Sequence, residues 1–521
     1  MAALDNNSIV AVIGSGAMGA GIAQVAAAAG YRVKLYDTRP EAVSKALADI
    51  GKMYTKLAEK GRMTAQQAQD ATARLQAAGS LSDVADASLV VEAIVENLDV
   101  KRALFAELEA LVSESCILAT NTSSISVTAI AAKLRRRERL VGMHFFNPVP
   151  LMALVEVVEG LATSEQVAAI VYDTSIAWGK MPVHAKSTPG FIVNRVARPF
   201  YAEGWRLLNE QAGDAATIDA VLREAGGFRM GPFELMDLIG HDVNFSVTQS
   251  VFGAYFNDPR FTPSVLQQEM VNAGFLGRKS GRGFYSYGEG CSIPAAREES
   301  AQARPEVVAL SSAVGSDGRG HSGIVHALVQ RLEASGINVT SRVTLEGQVS
   351  DTAPALHCNG AAIYLTDGRS ATQRAHDNQH ADTVLFDLAL DYATAKRVAL
   401  ARADQCSEVA YNAAVGLFQA AGFTVTRLDD VPGLAVMRTV VMLANEAADA
   451  VNQGVCTAAA VDIAMQKGVN YPRGPLAWAD AVGVQHVVTV LHHLAQGYGE
   501  DRYRVSPLLR RKLANGASFH A

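Results

Sequence analysis

The sequence predicts an α/β chain: a doubly wound parallel sheet, an all-helical domain, a degenerate α/β segment and a second copy of the helical domain. Three observations predict it. Near the start, a strand enters a glycine turn and a small-residue helix, and a second strand ends on an acid. Near Ser187 the apolar spacing changes from strand-like to helical. A shift of 243 residues then lays a late helical stretch on the earlier one without a gap across some fifty residues.

The glycine turn carries the most information. Ile9–Gly19 reads IVAVIGSGAMG, and YRVKLYD ends at Asp37. In Gly14-x-Gly16-x-x-Gly19 the first glycine makes the tight turn. The second lets backbone approach a pyrophosphate, and the third lets helix and strand pack closely. The helix N-terminus then faces phosphate charge. The turn residues Gly14, Gly16, Ala17, Met18 and Gly19 are therefore expected to bind a dinucleotide. Asp37 follows Gly19 by 18 residues, where an acid reaches a ribose 2′-hydroxyl. A carboxylate there repels a 2′-phosphate, which favours NAD over NADP, although Arg39 stands close by. These features describe a Rossmann-type domain.

Composition narrows the function classes. At 521 residues the chain is long enough for several domains. Hydrophobic residues at 49%, charged residues at 19% and a net charge of -6 describe an ordinary globular protein without a basic field for nucleic acid. Five scattered cysteines form no CxxC pair, no metal spacing and no even disulfide set, so a reducing cytoplasm is expected and no metal site. The first residues enter a strand almost at once, so no targeting segment is expected. No apolar run is long enough to cross a bilayer.

Along the chain, residues 1–186 alternate strands and helices, with a polar helical region at about 40–78. The strands SLVVEAI and CILATN follow, with a helix between them. RLVGMHFF and LMALVEVVEG come next, separated by NPVP. Pro189 and Gly190 mark the change to a helical domain, 187–290. The charged stretch 291–304 reads as a linker. Residues 305–428 return to strands such as EVVALSS, AAIYLTD and TVLFDLAL. Their glycine run, AVGSDGRG, lacks the GxGxxG spacing, so this segment is expected to bind no dinucleotide. Residues 429–521 repeat the helical domain: Pro189–Gly190 meets Pro432–Gly433, Arg195 meets Arg438, Asp219 meets Asp462 and GPFELMDLIG meets GPLAWADAVG.

Several polar residues fall where chemistry is expected. His144 lies in MHFFNPVP, and Glu156 is an acid inside an apolar strand, where a buried carboxylate needs a partner. If the two strands pair across NPVP, these residues face each other. A histidine held by a carboxylate is a general base with its tautomer fixed; a purely structural pair is the plain alternative. Asn121, Ser123 and Ser124 follow a strand at the carboxyl edge of the sheet, where ligands gather, although such residues also cap helices. Glu96 and Lys101 follow another strand at that edge. Asn194, in the first helix of the helical domain, becomes Met437 in the repeat, as expected of a residue needed at one site only.

Taken together, GSGAMG, VEAIVENLDVK, NTSS, HFFNPVPLMALVEV, TPGFIVNR, GPFELMD and GRKSGRGFY resemble the L-3-hydroxyacyl-CoA dehydrogenase family, in the family's order, across residues 8–287. The resemblance implies NAD-dependent oxidation of a (3S)-3-hydroxyacyl-CoA thioester. It implies His144 as base, Glu156 as its partner, and Ser123 and Asn194 at the substrate oxygen. It places Glu96, Lys101, Asn147 and Lys279 at NAD and Lys60 at CoA, while Met53 stands where the family has a serine. The long form with a degenerate second half resembles the branch that serves bacterial phenylacetate catabolism. That implies 3-hydroxyadipyl-CoA as substrate, with 3-hydroxybutyryl-CoA as the alternative. Its far carboxylate would need a cation; Arg195 and Arg198 are candidates, although Arg195 recurs as Arg438. The second half is expected to act as a dimer partner within one chain, with further oligomers left open.

Overall fold

Five consecutive aliphatic residues, β1 (Ile9–Ile13), are all buried, as a parallel strand covered on both faces requires. Around it the computed structural model, which describes residues 3–311, 322–342 and 355–520, builds an eight-stranded sheet. The further strands are β2 (Arg32–Tyr36), β3 (Leu75–Ala77), β4 (Leu89–Glu92), β5 (Ile117–Thr120), β6 (Leu140–Phe145), β7 (Leu154–Glu159) and β8 (Met181–Lys186). Their order is β3-β2-β1-β4-β5-β6-β7-β8. All neighbours are parallel except β6 and β7, which the short NPVP connection makes antiparallel.

Helices fill the crossovers. α1 (Ala17–Ala28) follows the glycine turn, and its small residues pack on the sheet. The polar region beyond Asp37 is a hairpin of α2 (Pro40–Glu59) and α3 (Ala65–Ala73), ending in β3 rather than in helix. Thr64 starts α3 with a capping box to Gln67. On α2 only Val43, Ala46, Ile50 and Tyr54 are buried, a stripe at helical spacing, which leaves the other face to solvent. α4 (Leu98–Leu111) joins β4 to β5 and is capped by Asn97.

The chain divides into two units. One comprises Met1–Arg195 with Gln453–Val469; the other comprises Val196–Asn452 with Asn470–Ala521. The first unit therefore includes a helix from the far end of the chain. Ala458–Gly468 packs on β7 and β8, and a Cβ on Gly468 would meet Leu154 Cδ2 at 2.6 Å and Val193 Cγ2 at 3.0 Å. Lys186 N also donates to Val455 O at 2.9 Å.

The second unit holds helices of both copies and a seven-stranded sheet: β9 (Val307–Ser311), β10 (Asn338–Arg342), β11 (Leu356–Cys358), β12 (Ala361–Leu365), β13 (Thr383–Phe386), β14 (Arg397–Arg402) and β15 (Thr424–Arg427). Its order is β10-β9-β11-β12-β13-β14-β15. β12 to β15 repeat the parallel, antiparallel, parallel pairing of β5 to β8. The 243-residue shift carries the starts of β6, β7 and β8 onto those of β13, β14 and β15, so the repeat reaches into the sheet. AVGSDGRG lies outside the described residues. The stretch expected to be a linker is irregular but tied down. Glu299 N donates to Val425 O at 2.8 Å, and Thr426 Oγ1 donates to Arg297 O at 2.9 Å. No described helix is long and apolar enough to cross a membrane.

Candidate active site

At the end of β1, Gly14 adopts φ +105°, and a Cβ there would meet Ala93 O at 2.5 Å. A Cβ on Gly19 would overlap Gly14 O at 1.8 Å, whereas one on Gly16 meets nothing within 4 Å. The first and third glycines are thus required by packing, and the second opens space before α1. Gly16 N-caps α1 without a side-chain bond, which leaves the first helical N–H groups free for phosphate oxygens. Asp37 Oδ2 accepts from Ser15 N at 2.9 Å and Ser15 Oγ at 2.8 Å. Burial works against its charge, but the hydrogen bonds from Ser15 and Arg39 together hold the carboxyl below its ordinary range. The acid stays ionised and faces the turn, so these residues fit an adenosine dinucleotide.

Across β6 and β7 the register pairs His144 with Glu156. His144 Nδ1 lies 2.6 Å from Glu156 Oε2, and both side chains are buried. The other carboxylate oxygen, Oε1, accepts from Ile192 N at 3.0 Å and Val193 N at 2.9 Å. Glu156 therefore ties the imidazole to the start of the short helix Val193–Val196, which carries Asn194. Asn194 Nδ2 donates to Ser123 O at 3.2 Å. Phe146 and Phe191 stand beside the imidazole, with ring centroids at 4.5 and 5.8 Å. Four residues separated by up to 71 positions thus converge at one edge of the sheet. With Nδ1 donating to the carboxylate, Nε2 is the free lone pair.

Glu96 organises the NTSS turn. Its Oε1 accepts from Thr122 Oγ1 at 2.6 Å, Ser123 N at 3.0 Å and Ser124 N at 3.1 Å. Burial opposes its charge, but the bonds from Thr122 and the turn, with the Lys101 charge, outweigh it and hold the carboxyl low. Lys101, expected at NAD, has no exposed side-chain surface. It is spent on Glu92 at 2.6 Å and Glu96 at 3.4 Å, because it lies on the buried face of α4 with Phe105 and Leu108. Asn121, expected to face substrate, accepts from Phe145 N at 2.8 Å and braces β6 instead. Ser123 and Ser124 remain partly exposed.

Of the remaining expected contacts, Asn147, Lys60 and Lys279 are exposed and Arg195 is not. Asn147 is exposed in the NPVP turn, and Lys60 is exposed at the end of α2 without an ion-pair partner among the described residues. Lys279 lies in the second unit, where it pairs with Asp242 at 2.5 Å. Arg195 is buried and donates to Gln453 Oε1 at 2.9 Å. Its counterpart Arg438 donates to Glu210 Oε2 at 2.8 Å, the position that the repeat maps onto Gln453. Arg195 is therefore committed to structure rather than to a substrate carboxylate.

Sequence reasoning missed Lys180. Its ammonium donates to Val149 O and Met152 O and so pins the NPVP turn that follows His144. Burial pushes this lysine down to about 8. Only its proximity to β8 hinted at a role. Among the described residues no group of His, Cys, Asp and Glu could hold a metal ion.

Comparison with known proteins agrees with this geometry. Residues 9–188 match the 3-hydroxyacyl-CoA dehydrogenase NAD binding domain, and 190–287 and 433–518 both match the family's C-terminal domain. Residues 363–432 match a 3-hydroxybutyryl-CoA dehydrogenase reduced Rossmann-fold domain. The chain is 43% identical over 507 residues to the 3-hydroxyadipyl-CoA dehydrogenase of Escherichia coli K12, covering 97% of this chain and 98% of that one. It is 41% identical over 285 residues to pig mitochondrial hydroxyacyl-coenzyme A dehydrogenase, covering 53% and 90%. A crystal structure of 3-hydroxybutyryl-CoA dehydrogenase from E. coli superposes with a TM-score of 0.84 at 41% identity, over 98% of this chain and 100% of that one. The chain belongs to the 3-hydroxyacyl-CoA dehydrogenase family, whose members are NAD-dependent oxidoreductases.

Proposed function

We propose that this NAD-dependent hydroxyacyl-CoA dehydrogenase acts on (3S)-3-hydroxyadipyl-CoA, giving 3-oxoadipyl-CoA, through His144, Glu156, Ser123 and Asn194. The His144–Glu156 pair carries the chemical reading. His144 Nε2 takes the proton of the substrate 3-hydroxyl. Glu156 holds the imidazole and stabilises the imidazolium that forms. Ser123 and Asn194 hydrogen-bond the oxygen as it becomes a carbonyl. The chemistry that NAD would supply there is a hydride acceptor for the C3 hydrogen. Gly14, Gly16, Ala17, Met18, Gly19 and Asp37 hold that dinucleotide, with Asn147 and Lys279 as further contacts and Lys60 toward CoA. Glu96, braced by Lys101, positions Ser123.

The end-to-end similarity to the E. coli 3-hydroxyadipyl-CoA dehydrogenase supports the acyl chain. The superposed E. coli structure is that of a 3-hydroxybutyryl-CoA dehydrogenase, which favours 3-hydroxybutyryl-CoA as a second reading. NADH formation with both thioesters decides. A kcat/KM at least tenfold higher for the adipyl ester supports the proposal; equal or better turnover of the butyryl ester overturns it.

The second half is read as a dimer partner joined in one chain. The helix Ala458–Gly468 on β7 and β8 supports this. A chain ending after Tyr287 is expected to lose activity or to self-associate; a soluble, fully active monomer would refute the reading. The five free cysteines support a cytoplasmic setting.

A further inference from the structure

The second unit contains a pocket of ≈ 350 Å³ whose lining includes Arg198, Tyr201, Trp205, Thr248, Arg260 and Arg502. Arg198 is the informative member. It is 5% exposed and lies on the first turn of the helix Arg198–Asn209. Its Nη1 donates to Thr248 Oγ1 at 2.9 Å, and its guanidinium stands 4.8 Å from the Tyr201 ring centroid. Its Nε is buried without a partner, and among the described residues no carboxylate pairs with it. The other arginines are neutralised: Arg260 by Asp449 and by Glu446 at 3.3 Å, Arg502 by Glu500 at 3.5 Å. Even so, Arg260 Nε and Trp205 Nε1 are also buried without hydrogen-bond partners. Guanidinium and indole N–H groups only donate, and the carboxylates of the lining, Glu210 and Glu500, are already paired, with Arg438 and with Arg206 and Arg502 respectively.

The repeat supplies an internal control. At the positions of Arg198, Tyr201, Trp205 and Thr248 the second copy has Val441, Ala444, Ala448 and Leu491, all fully buried. Helix packing in this fold is therefore achieved without the arginine. A buried cation without a counter-charge is costly, and a bound anion would supply the missing charge.

We propose that this pocket binds an organic carboxylate, received by the Arg198 guanidinium. A planar fork matches a carboxylate with two parallel hydrogen bonds. The single unpaired cation fits a singly charged group, and the aromatic rings beside it suit a carbon chain. The pocket volume lies at the small end of the ligand range. The carboxylate arrives either free or as the far end of an acyl chain, and only the latter source rests on the substrate reading above.

The test is calorimetric titration of the full-length chain with adipate, with inorganic phosphate as the comparison anion. Adipate is expected to bind saturably, and Arg198→Met to weaken it at least tenfold. If Arg198→Met fails to fold, Thr248→Val, which removes only the hydroxyl that steers the guanidinium, is expected to weaken adipate severalfold. Steady-state kinetics then separate the sources. A KM for 3-hydroxyadipyl-CoA that rises at least tenfold relative to 3-hydroxybutyryl-CoA in Arg198→Met assigns the carboxylate to the substrate. An unchanged ratio with adipate binding lost assigns it to a free acid. No adipate binding together with an unchanged ratio overturns the proposal, and preferential phosphate binding overturns the carboxylate assignment. Absence of adipyl-CoA turnover would sink the substrate reading and leave the adipate titration to judge the pocket.

Discussion

In the first half His144 and Glu156 face each other across β6 and β7; in the second half the same strand positions hold Asp387 and Ala399. The hydrogen-bonding task survives without the chemistry. Glu156 Oε1 accepts from Ile192 N and Val193 N; Asp387 accepts from their counterparts, Ala435 N and Val436 N at 2.9 and 2.7 Å, and from Met437 N at 2.9 Å. The carboxylate has moved one strand over and still receives the start of the following helix. Ser123 and Asn194 meanwhile become Thr366 and Met437. A buried acid at this sheet edge is thus required by the fold, because helix-start N–H groups need an acceptor. The imidazole is what the first half adds, and the proposed chemistry depends on it.

This comparison can be broken in order of expected effect. His144→Ala should lower kcat by about 10³–10⁴-fold with NADH affinity retained, since the base alone is removed. A loss below about tenfold, by initial rates, would place the base elsewhere. Glu156→Gln should cost about 10²–10³-fold in kcat, because the amide keeps one acceptor for the helix but no longer stabilises imidazolium. Equal loss of folding and activity, read by circular dichroism, would reduce Glu156 to its structural task.

Asp387 predicts a pH effect on stability. Burial pushes its carboxyl up to about 6, against the backbone N–H groups that favour the charge. The folded value lies above that of an unfolded aspartate, so its contribution is fully present below about pH 4 and lost as pH rises through about 6. At neutral pH the buried charge costs up to roughly 3 kcal/mol. Urea unfolding of Asp387→Asn should therefore show a flatter decline between about pH 4 and 6 than the parent; parallel curves would refute the assignment. The smallest effect is at the ribose. Asp37→Ala should raise the KM for NAD by about tenfold with little change in kcat. An unchanged KM would leave Asp37 only its bonds to Ser15.

Much of this was legible in the sequence because it depends on local rules. The glycine turn announces itself through spacing, and the His144–Glu156 register follows from a short connection and the period of a strand. What stayed hidden depends on distant packing. Lys101 looks like a solvated charge until the packing of α4 turns it inward against Glu92. Asn121 looks free until β6 presents the Phe145 N–H. The helix Ala458–Gly468 reads as an ordinary repeat element, and only the close approach at Gly468 reveals that it covers β7. The repeat itself was visible in the helices but not in the strands. There, aliphatic residues substitute for one another at little cost, so β13 to β15 share positions with β6 to β8 while sharing few residues, Val141 with Val384 and Val155 with Val398.

The central claim is that one half holds the site and the other retains its frame. Titration of the full chain with NADH, followed by fluorescence or calorimetry, tests it most directly. One NADH per chain is expected, with binding lost when Gly16 is replaced by a bulky residue. Two equivalents per chain, or one that survives that substitution, would contradict it.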